Sequence, residues 1–171
     1  NIIAAEFKDV KINDISDCVS NISDFTNSML IGTTEHGTLS NAINNIGIGL
    51  NSLRAIVSGQ NNIAIGKDSL SSDNSGSTNV AVGTQAGDGL TTGTANVLLG
   101  HSADTSANNG TNQIVIGSGV TGTGDNHTVI GNSSQTSVLF GGDAHVTASG
   151  NISGSSTSHL TMGQISSSGD I

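Results

Sequence analysis

The chain of 171 residues has no proline, no tryptophan and no tyrosine, and only three phenylalanines. That composition excludes a compact core built from large side chains. It also withholds the aromatic platforms that sugar-binding sites usually offer. Charge is scarce: four bases stand against 13 acids, for a formal net charge of −9. The bases are Lys8, Lys11, Arg54 and Lys67, so none follows residue 67. Without a basic stripe the chain cannot neutralise a phosphate backbone, and neither nucleic acid nor an anionic membrane surface is an expected partner. No apolar run reaches the roughly 18 residues of a membrane span, so no membrane insertion is expected. The single cysteine, Cys18, permits no disulfide within the chain; it reads as a buried thiol, or in an assembly as a link between copies. The acids are scattered singly, as suits the solubility of a long repetitive surface.

Glycine, by contrast, is abundant and periodic. Gly32, Gly49, Gly66, Gly83, Gly100 and Gly117 fall 17 residues apart, and each ends a short apolar run: SMLIG, NIGIG, NIAIG, NVAVG, NVLLG, QIVIG. Looser copies, HTVIG and SVLFG, end at Gly131 and Gly141. Disorder has no reason to keep such a register. A fixed period near 20 residues that contains one strand is the pattern of a stacked β-solenoid, in which each coil buries its face against its neighbours. The expected fold is all-β, a repetitive solenoid (β-roll or β-helix) of 17-residue coils assembled as a homotrimeric fibre.

Within each run, alternate residues take opposite faces of the strand. The larger set is Ile46/Ile48, Ile63/Ile65, Val80/Val82, Val97/Leu99 and Ile114/Ile116; these are expected to fill the coil as its core. The residue between them runs Gly47, Ala64, Ala81, Leu98, Val115, Val129, Leu139. Its small early members would let backbones approach closely, so this face is expected to be the trimer interface. Asn45, Asn62, Asn79 and Asn96 lie four before the turn glycine, followed by Gln113 and His127; they should form a hydrogen-bonded amide ladder. A second set, Gly59, Gly76, Gly93 and Gly110, suggests another corner that needs positive φ. Leu53 and Leu70 match on the far side of the coil, and RAIVSG offers a second strand.

The flanks are less regular. Residues 1–26 carry Ile12, Ile15, Val19, Ile22 and Phe25 at helical spacing, but β-branched residues and Ser, Asn and Asp fill the gaps. Such residues are mediocre in helix interiors, so an extended or irregular lead-in is expected. The repeat array spans 27–141. Residues 142–171 are Ser- and Gly-rich and read as an intertwined β neck or as a linker. The chain reads as a piece of something longer.

No catalytic constellation emerges. Asp68, Asp73, Asp88 and Asp104 sit at different phases of the repeat, unlike the carboxylate pair of a glycosidase, and no enzyme activity is expected. Gly117, Gly119 and Gly122 match GxGxxG, but another repeat follows where a nucleotide site needs a helix. Gly122-Thr123-Gly124-Asp125 hints at a calcium turn, yet one carboxylate is too few. His36, His101, His127, His145 and His159 share no metal-ligand spacing; His145 and His159 are the best placed for an axial ring. Thr91/Thr92 and Thr121/Thr123 do not form an ice-binding column. Sequons at Asn21, Asn109, Asn126, Asn132 and Asn151 are what a chain this rich in Asn, Ser and Thr produces by chance. No cofactor and no metal are assigned.

The units NNIAIGKDSL and NVAVGTQAGDGLTTGTANVLLG, with the tail VTASGNISGSS, resemble the IAIG-type repeats of tail-fibre-like structural proteins of marine bacteriophages. They are related to the β-roll head repeats of trimeric autotransporter adhesins. The resemblance covers about residues 27–155. It implies a homotrimeric β-roll or β-helix on a virion or cell surface, with copies of itself, other virion proteins and a host surface receptor as partners. The 17-residue unit is longer than the adhesin one, and neither a coiled-coil stalk nor a membrane anchor is seen in this chain.

Overall fold

The structure, a computed structural model, describes residues 18–20, 24–32, 36, 38–135 and 138. Eight three-residue strands follow one another along the chain: β1 (Cys18–Ser20), β2 (Met29–Ile31), β3 (Ile46–Ile48), β4 (Ile63–Ile65), β5 (Val80–Val82), β6 (Val97–Leu99), β7 (Ile114–Ile116) and β8 (Thr128–Ile130). They form one sheet in sequence order. β1 pairs antiparallel with β2, and each later pair is parallel. Met29, Ile46, Ile63, Val80, Val97 and Ile114 stand directly above one another, with Thr128 at the end. The seven parallel strands make an all-β solenoid of about six turns, as the 17-residue period requires. The lead-in thus contributes β1; its residues 1–17 and 21–23, the neck at 142–171 and, except for Val138, the run ending at Gly141 lie outside the described residues.

Strands stop after three residues because the chain must turn at once. Gly66 takes φ +132°, and a Cβ there would lie 2.5 Å from the Gly83 carbonyl oxygen of the next coil. Two further columns bend the chain in the left-handed region: Asn44, Asn61, Thr78, Ala95 and Asn112 have φ of 52–62°, and Asn51, Asp68, Gln85 and Ser102 have φ of 51–60°. Asparagine tolerates that region better than most residues, which explains part of its abundance here. Leu53 and Leu70 also adopt it, at φ 52° and 47°. Their cost of about 1 kcal/mol is offset by side chains buried in the coil, each stabilising by roughly 2 kcal/mol.

Gly59, Gly76, Gly93 and Gly110 are needed for a different reason from the one expected. None has positive φ. A Cβ at Gly76 would come 2.5 Å from the Gly93 carbonyl oxygen, and one at Gly59 would strike the Gly76 carbonyl. The corners stack backbone on backbone. Nor does RAIVSG form a strand: residues 54–59 turn, and away from the main sheet the coils are linked by single bridges, Ser77 to Thr94, Thr94 to Thr111 and Asp104 to Thr121.

The two strand faces are reversed from expectation. Gly47, Ala64, Ala81, Leu98 and Val115 point into the coil and are buried, and Val129 packs against the same core. They are therefore core residues and not a trimer interface. Leu139 lies outside the described residues. Ile46, Ile48, Ile63, Ile65, Val80, Val82, Val97, Leu99, Ile114 and Ile116 point outward and are half-buried or exposed. The physical reason is the narrowness of the coil. Its far side already supplies Leu53, Ile56, Leu70 and Leu90 to the interior, so each strand has room to add one central side chain.

That packing also explains the drift in size along the central column. Small strand residues face large partners: a Cβ on Gly47 would strike the Leu30 side chain and lie 3.4 Å from Leu53 Cδ1. Where the strand carries Leu98, its Cδ1 reaches to 2.8 Å from where a Cβ on Gly87 would be. Volume is exchanged between adjacent coils and opposite walls, as close packing demands.

Candidate functional site: an uncovered aliphatic face

Two outward columns run the length of the sheet. One is Met29, Ile46, Ile63, Val80, Val97, Ile114 and Thr128; the other is Ile31, Ile48, Ile65, Val82, Leu99, Ile116 and Ile130. Every member except Thr128 is apolar. Ile48 and Ile65 keep 38% and 39% of their surface exposed, and Ile130 keeps 48%. Parallel sheets are ordinarily covered on both faces; here nothing in the described chain covers the outer one. The two columns together form an apolar stripe of thirteen side chains, the kind of exposed patch that marks an interaction surface.

The face is backed from within by an amide spine. Asn45, Asn62, Asn79 and Asn96 are fully buried. The N–H of Asn62 donates to Asn45 Oδ1 at 2.9 Å, that of Asn79 to Asn62 Oδ1 at 2.9 Å, and that of Asn96 to Asn79 Oδ1 at 3.0 Å. Each Nδ2 donates across the coil to a corner carbonyl, Gly59, Gly76, Gly93 or Gly110, at 2.8–2.9 Å. Side chain to side chain, Asn79 and Asn96 also donate down the column. The ladder expected from the sequence is present, and each of its asparagines also locks the strand to a corner.

Its two ends are finished by other residues. Ser28 Oγ accepts the Asn45 N–H at 2.7 Å. Gln113 replaces asparagine at the far end, its N–H donating to Asn96 Oδ1 at 3.0 Å and its Nε2 to Ser106 Oγ and Asp125 Oδ1. His127 is exposed and bonds Thr123 through Nδ1. Asp125 accepts the Thr111 N–H at 2.8 Å. That bond, then the one from Gln113, holds its carboxyl below the usual range. Asp125 therefore helps finish the far end of the amide spine, a role the GTGD pattern did not suggest.

The remaining candidates do not converge. No helix opens at Gly122, and His36 and His101 are separately exposed; His145 and His159 lie outside the described residues. Among the described residues no group of three or more His, Cys, Asp or Glu could hold a metal ion. Asp68 accepts from Asn51 Nδ2 at 2.8 Å and pairs with Lys67 at 3.7 Å. Burial pushes Asp104 up, with a smaller contribution from Asp88. Asp73 is fully buried, which sequence reasoning missed. The signal was present: residues 17 before and after it, Ile56 and Leu90, are apolar.

No protein-family profile matches the chain, and neither a curated protein nor a solved structure matches it.

Proposed function

We propose that the chain is a structural fibre segment that works as a homotrimer, its copies closing on one another through the two outward aliphatic columns. The observation that carries this reading is the uncovered aliphatic face on a solenoid whose interior is already complete. The face is narrow, three residues wide, and doubly lined. Around a threefold axis each copy would offer one column to each neighbour, removing both from water. Removing these side chains from water supplies the hydrophobic driving force that association needs.

With the resemblance to phage tail-fibre-like repeats, the reading extends to a virion fibre, of tail-fibre or head-fibre type, that carries host-attachment contacts on its surface. Three copies multiply weak contacts into avidity. The adhesin-head reading rests on the same IAIG motifs and differs in placing the ligand on the coil's own outer loops.

Light scattering on the purified chain tests the assembly. Three copies of 16.9 kDa should give a particle of about three times that mass; a monodisperse monomer at micromolar concentration would overturn the reading.

A further inference from the structure

Inside the coil, an acid interrupts an aliphatic column. Ile56, Asp73 and Leu90 are 17 residues apart and occupy the same place in successive coils. The N–H groups of these three donate to the carbonyls of Leu53, Leu70 and Gly87 at 3.1, 3.2 and 3.1 Å. Each side chain also backs onto the corner glycine three residues on. The Cβ position of Gly59 lies 2.7 Å from Ile56 Cδ1, that of Gly76 lies 2.5 Å from Asp73 Oδ1, and that of Gly93 abuts Leu90 Cδ1. Bonds from Val57 N–H to the Asn74 carbonyl, 2.9 Å, and from Asn74 N–H to the Thr91 carbonyl, 3.1 Å, stack the three coils.

All three side chains are fully buried. Asp73 Oδ1 accepts the Gly76 N–H at 2.8 Å, while Oδ2 has no partner. Among the described residues no opposite charge compensates it. The charged side chains of its own and the flanking coils are Arg54 and Lys67, both exposed, and Asp68 and Asp88, both half-buried. Burial raises the proton affinity of the carboxyl, the bond from Gly76 opposes it more weakly, and the group is pushed up to about 7.

We propose that Asp73 is a proton-controlled latch: as the neutral acid it fills the column between Ile56 and Leu90, and loss of its proton loosens the turn at 70–76 and the coils stacked on it. The direction follows from linkage. In the opened chain the carboxyl titrates near its ordinary 3.8, and in the closed coil near 7. Below both values the latch is neutral in either state and the closed coil keeps its full stability. As pH rises between them, opening releases a proton and is increasingly favoured, by roughly tenfold per pH unit. Above the higher value the penalty is constant. The result is a fibre segment firm in acid and looser at and above neutrality, whatever its oligomeric state.

The test is amide hydrogen exchange on the full chain at pH 5 to 8, read at Asn74 and Gly76 and corrected for intrinsic exchange rates. Wild type should show its opening constant rising roughly tenfold per unit between pH 5 and 7. Asp73→Asn and Asp73→Leu should each abolish that slope. The leucine variant restores the column; should it not fold, the asparagine variant decides alone. An equal slope in wild type and variant, or no slope in wild type, overturns the proposal.

Discussion

Asn79 shows how much of this solenoid rests on single side chains. Its Oδ1 accepts the Asn96 N–H and its Nδ2 donates to the Gly93 carbonyl, both fully inside the coil. Asn79→Ala leaves those backbone groups without partners, at a cost of roughly 2–4 kcal/mol; denaturant unfolding should show that loss as a lowered midpoint. Ala64 makes the opposite point. It sits in the lumen with no exposed surface, so Ala64→Leu overpacks the coil and should cost about 1–3 kcal/mol. A thermal melt would register the change while the solution mass stays as in wild type. A mass change with an unaltered melt would place Ala64 on the outside.

At the scale of the strand, the sequence made the repeat legible and left its orientation open. The 17-residue step, the β-runs at 46–48 through 128–130 and the asparagine ladder could all be read from residue spacing, because each depends on register alone. Which face points inward could not, since both faces of IAIG, VAV and VLL are apolar. The answer lies in how much volume the opposite wall supplies: Leu53, Ile56, Leu70 and Leu90 come from segments without strand character. The larger residues were expected inside, but the narrow lumen admits the smaller ones. The second glycine column was likewise visible by period, yet its cause is backbone stacking and not φ. The turn glycines carry both constraints. Gly83 has φ +141° and a Cβ there would strike the Gly100 carbonyl. Gly83→Ala should therefore lift one coil off the next and lower the melting temperature, whereas Ala95→Gly, at an exposed position with φ 59°, should not lower it.

At the scale of the molecule, the inside is satisfied everywhere described except at Asp73, and the outside is not. Buried asparagines find partners, the central column fills its lumen, and Ser28 and Gln113 finish the spine at its ends. Among the described residues nothing covers the outer aliphatic columns, whose members are half-buried or exposed along the parallel sheet. A folded chain gains by covering such a surface with its own kind, because stacked identical columns meet in register. The most direct measurement is the solution mass of the double variant Ile48→Asp, Ile65→Asp, with circular dichroism on the same sample. Both residues are outward, so the charges should leave the β-signal intact and reduce a trimer to monomers. A trimer that survives both charges, or a variant that loses its β-structure, would contradict the claim that the aliphatic columns face outward and carry the assembly.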